Sequence, residues 1–243
     1  MHVTILGLGP SLDDYSLHVK SLGGRSAFCD EVWAINALGD VYACDKIFHM
    51  DDVRVQERRS EAKPQSNIAN MVRWLKTHPG PIYTSYKHPD YPGLVDYPLA
   101  EVIQKTGETY FNNTAAYALA YAIAYGATTI SIFGCDFSYE HSHHAEKGRG
   151  CLEFWIAMAK TKGIKINLPR NTALMDVYDG TEFYGYCDGH TVTIDEKNGK
   201  VNVALEAKDL PTADEIERRY DHQRPTSPHV EGKHDGTNSD SSR

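Results

Sequence analysis

Val3-Thr4-Ile5-Leu6-Gly7-Leu8-Gly9-Pro10-Ser11 is an apolar run that stops at glycines, a proline and a serine, with an amphipathic stretch directly after it. A run that halts at small residues and restarts with helical spacing is the strand-turn-helix unit of a parallel sheet. The first N–H groups of such a helix have no partner within it, and the helix dipole favours negative charge there. The turn therefore suits a phosphate. Its spacing is not the dinucleotide fingerprint, because the third glycine is missing and Pro10 sits inside the turn, and it lacks the Lys of a P-loop. Gly7, Gly9, Pro10 and Ser11 are expected to hold a phosphorylated ligand of another kind.

Outward from this unit, further short apolar runs occupy residues 32–35, 46–50, 81–84, 129–133 and 164–168. Between them, residues 66–76, 114–125 and 151–162 carry apolar side chains at helical spacing. Strands alternating with helices predict an α/β fold with a doubly wound, mainly parallel, Rossmann-like sheet. Asn198-Gly199 between two alternating runs predicts a β-hairpin within residues 181–207, and a helix is expected from Thr212 to about His222. The tail from Gln223 is rich in Pro, Ser, Gly, Asp and His and is expected to be disordered. The expected organisation is a nucleotide-binding catalytic domain over 1–178, the hairpin and helix over 179–222, and the tail over 223–243.

At 243 residues the chain can bury one substantial core. It shows neither an apolar stretch long enough to span a membrane nor a signal-peptide pattern, so a soluble, cytoplasmic protein is expected. The five scattered cysteines read as reduced thiols, with Cys135 set apart by its polar neighbours. A net charge of −8 argues against an extended nucleic-acid surface. The apolar hairpin is a candidate contact for a homo-oligomer.

Parallel open sheets bind ligands beyond the carboxyl ends of their strands. The residues found there are Asn36, the pair Asp51-Asp52, and Gly134-Cys135-Asp136-Phe137 followed by His141, His143 and His144. Imidazoles and Asp136 are candidate groups for acid–base catalysis. Asp51 and Asp52 read as magnesium ligands in a metal-dependent reaction, or equally as the cap of the next helix. Asn113 and Thr114 open an Ala-rich helix and read either as a cap or as a second anion site. Tyr83, Tyr86, Tyr91 and Tyr97 mark a loop that could stack on a base or sugar, or serve as a rigid connection.

Three of these segments together resemble a known family. Gly-x-Gly-Pro-Ser-Leu after the first strand, Asn-Thr-Ala before the Ala-rich helix, and Gly-x-Asp-Phe after the strand at 129–133 resemble the bacterial sialyltransferases that use a CMP-sugar donor. They also resemble a related phage, bacterial and archaeal group that includes a 6-hydroxymethyl-dihydropterin pyrophosphokinase. The resemblance runs over about residues 1–174 in matching order; it has Leu8 where the motif has Asn, and Asn113-Thr114 where it has Thr-Ser. It implies that residues 7–11, Asn36, Asn113, Thr114 and Gly134 surround the donor nucleotide. His143 lies eight residues before Cys151, the offset of the family's catalytic histidine from an Ala-Leu-Glu-Phe segment, which implies a base at His143, with His144 next. The implied activity is transfer of a sugar from a nucleotide-sugar donor to a hydroxyl acceptor. The alternatives are magnesium-dependent pyrophosphate transfer from ATP to a hydroxymethyl acceptor, with Asp51, Asp52 or Asp136 as metal ligands, and a binding protein without turnover.

Overall fold

The computed structural model describes residues 1–137, 142–177, 183, 186 and 189–219. Seven strands, β1 (His2–Leu6), β2 (Glu31–Ile35), β3 (Lys46–Phe48), β4 (Ile82–Thr84), β5 (Leu94–Asp96), β6 (Thr129–Phe133) and β7 (Lys165–Asn167), form one sheet in the order β5-β4-β3-β2-β1-β6-β7. Every neighbouring pair is parallel, which is the doubly wound α/β sheet expected from the sequence. Strands covered on both faces need apolar side chains at successive positions. Val3, Ile5 and Leu6 of β1, and Val32, Trp33 and Ala34 of β2, are accordingly buried without alternation. The chain starts mid-sheet, builds outward from β2 to β5, then crosses back over β1 to add β6 and β7. The order thus reverses between β1 and β6, where an open α/β sheet leaves a crevice.

Helices α1 (Leu12–Ser21), α2 (Val53–Ala62) and α3 (Asn67–Leu75) supply Tyr15, Val53, Met71, Val72 and Leu75 to one core, which meets Val32, Ala34, Ile47 and Ile82 of the sheet. On the other face Trp33 and Phe48 meet Tyr121 of α5 (Thr114–Ala124), with ring centroids 5.5 and 5.6 Å apart. Ala116, Ala118, Ala120 and Ala122 are fully buried, so small side chains let α5 lie close to its neighbours. It packs between α4 (Leu99–Thr106) and α6 (Ser142–Thr161). Phe111, just before α5, stacks on Tyr117 at 4.4 Å and on Trp155 of α6 at 5.0 Å. Large aromatics buried to this extent each stabilise the fold by about 1.5–3 kcal/mol.

Two elements depart from the sequence reading. The Tyr- and Pro-rich segment after β4 is not one loop: Leu94 pairs with Ile82 to begin β5, and α4 follows. The helical spacing read from residue 151 begins earlier, as α6 starts at Ser142, so His143 and His144 are in its first turn. Tyr91 and Tyr97 are buried in the core, and the Tyr97 hydroxyl donates to the Tyr117 carbonyl at 2.9 Å; only Tyr86 of that group is exposed.

The chain divides into two compact units, Met1–Leu174 and Met175–Arg243. The second contains the antiparallel pair β8 (His190–Lys197) and β9 (Lys200–Ala207), followed by α7 (Ala213–Arg219). The turn residues Asn198 and Gly199 have φ of 54° and 71°, the pair of left-handed conformations that Asn-Gly favours in a two-residue hairpin turn. The predicted tail, the predicted end of α7 at His222, His141 and Cys187 lie outside the described residues.

Phe48 is fully buried among the rings of Trp33, Tyr83, Tyr97 and Tyr121. Phe48→Ala is expected to lower unfolding free energy in urea by about 3–5 kcal/mol, with a loss below about 1 kcal/mol contradicting this packing.

Candidate functional site

The β1–β6 pairing continues past the strand ends. Gly7 N–H donates to the Phe133 carbonyl at 2.8 Å, and Gly9 N–H to the Gly134 carbonyl at 2.7 Å. The two backbones run so close that a Cβ on Gly7 would strike Gly134, and one on Gly134, whose φ is +70°, would strike Gly7. A Cβ on Gly9 would lie 2.5 Å from the Asp136 carboxylate. The glycines of the opening motif are thus needed for backbone contact within the protein.

Asp136 is almost fully buried and its carboxylate meets Ser11. Ser11 N–H donates to Oδ2 at 2.8 Å and Ser11 Oγ donates to Oδ1 at 2.6 Å, while Gly134 N–H donates to Ser11 Oγ at 2.7 Å. The next amides, of Leu12, Asp13 and Asp14, donate to the carbonyls of Gly9, Pro10 and Ser11. The N-terminus of α1 therefore has its donors occupied, and a carboxylate of the protein sits where a ligand phosphate was expected.

The helix start that stays open belongs to α5. Asn113 caps it: Oδ1 accepts from Ala116 N–H at 2.9 Å, and Nδ2 donates to the Gly148 carbonyl of α6 at 3.0 Å. Thr114 and Ala115 are its first residues, whose amides an α-helix leaves without internal acceptors. They face a cavity of about 250 Å³ lined by Gly7, Leu8, Ile35, Asn36, Asn113, Thr114, Ala115, Gly134, Cys135 and Phe137. This cavity lies at the carboxyl ends of β1, β2 and β6, at the point where the strand order reverses. Gly7, Asn36, Asn113, Thr114 and Gly134 are brought together there; Gly9, Pro10, Ser11 and Asp136 are not among its lining.

Asn36 follows β2 with φ of +54°, a conformation that Asn tolerates, and its Oδ1 lies 3.0 Å from His49 Nδ1. His49 is fully buried, and burial lowers its pKa against a smaller opposing effect of Asp51. It escaped the sequence reading, which gave weight to the acidic pair beside it. The signal was its position: Asn36 and His49 each follow the last residue of adjacent paired strands, as Ile35 pairs with Phe48. The Cys135 thiol is pushed up to about 12 by burial and, less, by Asp136, so at neutral pH it is a protonated wall group and not a nucleophile.

Asp52 is the cap of α2. Its Oδ1 accepts from Arg54 N–H at 2.9 Å and its carboxylate is held by the Arg54 guanidinium, which keeps its pKa down at about 2. Asp51 is exposed, and among the described residues no three His, Cys, Asp or Glu side chains group as metal ligands would. His144 is exposed in the first turn of α6; for His143, backbone alone is described. Further along α6, a Cβ on Gly148 would strike the Phe137 ring, which places that part of the helix against the cavity wall. His143 is about 7.5 Å away along the helix axis.

The chain matches no family model and, among curated protein sequences, none significantly. Among solved structures it is similar to the sialyltransferase CST-II in complex with trisaccharide acceptor and CMP, at 17% identity and a TM-score of 0.44, over 90% of this chain and 99% of that one. It is also similar to the sialyltransferase CstII from Campylobacter jejuni in complex with cytidine-5'-monophosphate, at 17% identity and a TM-score of 0.41, over 90% of this chain and 98% of that one.

Asp136→Ala strands the Ser11 N–H and hydroxyl in a buried site. It is expected to cost about 2–4 kcal/mol in urea unfolding, and a loss under about 1 kcal/mol would contradict the clamp. His49, and His2 whose pKa burial also lowers, take up protons in the unfolded chain before they do in the folded one. Their stability contribution is complete above the ordinary histidine value of about 6.5 and declines as pH falls through it. Thermal scans from pH 7.5 to 5.5 should show a falling melting temperature, with a shallower slope in His49→Phe.

Proposed function

We propose that the cavity binds the phosphate and ribose of a nucleotide-sugar, and that the protein is a glycosyltransferase of the sialyltransferase-like type. The observation that carries this reading is the start of α5, capped by Asn113 at Ala116 but open at the Thr114 and Ala115 amides, facing a cavity at the reversal point of a parallel sheet. Thr114 and Ala115 amides, the Thr114 hydroxyl and the Asn36 carboxamide are donors suited to phosphate and ribose oxygens. Leu8, Ile35 and Phe137 give the same cavity an apolar side, against which a base or sugar face packs. Its volume of about 250 Å³ is below the range of pockets that enclose a drug-sized ligand, so it takes the phosphate end of the donor and leaves the sugar at its mouth.

The family resemblance of residues 1–174 supports sugar transfer as the reaction. In this reading His143, in the first turn of α6, removes the acceptor hydroxyl proton, with His144 as the second candidate. Donors at the α5 start stabilise the charge that develops on the departing phosphate. Leu8 brings no polar group to the turn, so donor recognition falls to Asn36 and Thr114. Pyrophosphate transfer from ATP is the weaker reading, because Asp52 is engaged by Arg54 and Asp136 by Ser11.

A thermal-shift panel of CMP, CDP, UDP, GDP, ADP and ATP, each with magnesium and with chelator, tests the reading. A pyrimidine nucleotide at a hundredfold excess over its Kd should stabilise the protein in chelator by about 2.7 kcal/mol, or roughly 5–10 °C. Thr114→Val should weaken that binding on the order of tenfold. Stabilisation by ATP with magnesium alone would move the assignment to pyrophosphate transfer, and no stabilisation by any nucleotide would overturn it. With a donor and acceptor in hand, His143→Ala should lower kcat at least about 100-fold with nucleotide affinity unchanged. Tight binding without turnover would indicate a binding protein.

A further inference from the structure

We infer that His49 is a positioning residue for the cavity: its imidazole holds the Asn36 carboxamide by the oxygen, so that the Nδ2 donor is the group Asn36 offers to a ligand. This rests on the cavity being a phosphate site. Asn36 lines the cavity, whereas His49 is fully buried beside it, one strand further from the β1–β6 crevice. The contact between them is His49 Nδ1 to Asn36 Oδ1, at 3.0 Å. A carboxamide oxygen accepts and never donates, so the ring nitrogen facing it carries the proton.

The rest of the ring agrees with this assignment. His49 Nε2 is buried and has no partner among the described residues. With the proton on Nδ1, Nε2 is a bare lone pair. In the opposite arrangement Asn36 Nδ2 would donate to Nδ1, and Nε2 would carry a buried N–H without an acceptor, a state rarer and costlier than an unused lone pair. Thr84, next to His49 by the β3–β4 register, has its Oγ1 buried and unpartnered as well, and it forms no hydrogen bond to the ring. Burial also keeps the ring in its neutral form.

The consequence for specificity is direct. With its oxygen turned to His49 and one lone pair taken there, Asn36 presents its two N–H groups to the cavity side. The orientation favours a ligand acceptor, a phosphoryl or ribose oxygen, over a group that only donates.

The test has two independent parts. In the ligand-free protein, long-range ¹H–¹⁵N spectra should show His49 as the Nδ1–H tautomer near pH 7.5; the Nε2–H tautomer would overturn the proposal. By calorimetry with CMP, Asn36→Ala and His49→Phe should each weaken binding by roughly 5–10-fold. In the Asn36→Ala background His49→Phe should then change the affinity less than about twofold, because it acts through Asn36. Additive losses would overturn the proposal. His49→Gln, whose side-chain amide can donate to Asn36 Oδ1, should recover part of the loss, and it replaces His49→Phe if circular dichroism shows that variant unfolded. If wild-type protein binds neither CMP nor inorganic phosphate, the phosphate-site reading falls and the ligand half of this proposal with it, while the spectrum still decides the imidazole contact.

Discussion

Asp136 and Ser11 are 125 residues apart in sequence, and the two hydrogen bonds between them close the middle of the sheet. They join the turn after β1 to the turn after β6, the two strands between which the chain reverses its direction of growth. The glycine contacts beside them allow the turns to approach at backbone distance, and Gly134 N–H donating to Ser11 Oγ completes the set. A carboxylate in this place satisfies the start of α1 from within the protein. The free donors of the crevice are then those of α5, on the other face of the sheet.

That displacement organises the site. One helix start is closed by Asp136 and the other is capped by Asn113 but left open at Thr114 and Ala115. Asn113 has both ends of its carboxamide engaged, one on α5 and one on α6, so it orients the helix pair and leaves ligand contacts to its neighbours. Across the cavity, Asn36 is held by His49, which is itself fixed by burial. Polar groups that need a partner therefore converge on one small cavity, while Cys135 contributes a protonated thiol and Leu8, Ile35 and Phe137 an apolar lining. The base proposed at His143 depends on the reaction and not on the pocket alone.

The sheet was legible in the sequence because strands buried on both faces read as nearly continuous apolar runs, unbroken at Val32-Trp33-Ala34-Ile35 and interrupted by a single small hydroxyl residue, Thr4 or Ser131, in β1 and β6. β5 was not, since three residues, of which Asp96 is exposed, carry little pattern among tyrosines and prolines. The first turns of α6 hold Ser, His, Glu and Lys without an apolar stripe, so the helix became readable only near Cys151. Of the motif at residues 7–11, Gly7 and Leu8 line the cavity. That Asp136 meets the start of α1 was not readable there, because a carboxylate arriving from a strand over a hundred residues away is a tertiary fact with no local signature. His49 was hidden for the same reason, since its partner Asn36 lies on another strand.

The proposed phosphate site is the start of α5 and not the start of α1, a difference that an amide NMR titration with CMP and with inorganic phosphate resolves residue by residue. Downfield shifts are expected for the Thr114 and Ala115 amides and the Asn36 side-chain NH₂, with the Ser11, Asp13 and Asp14 amides unmoved. Shifts centred on residues 11–14, with those of α5 unchanged, would contradict this site.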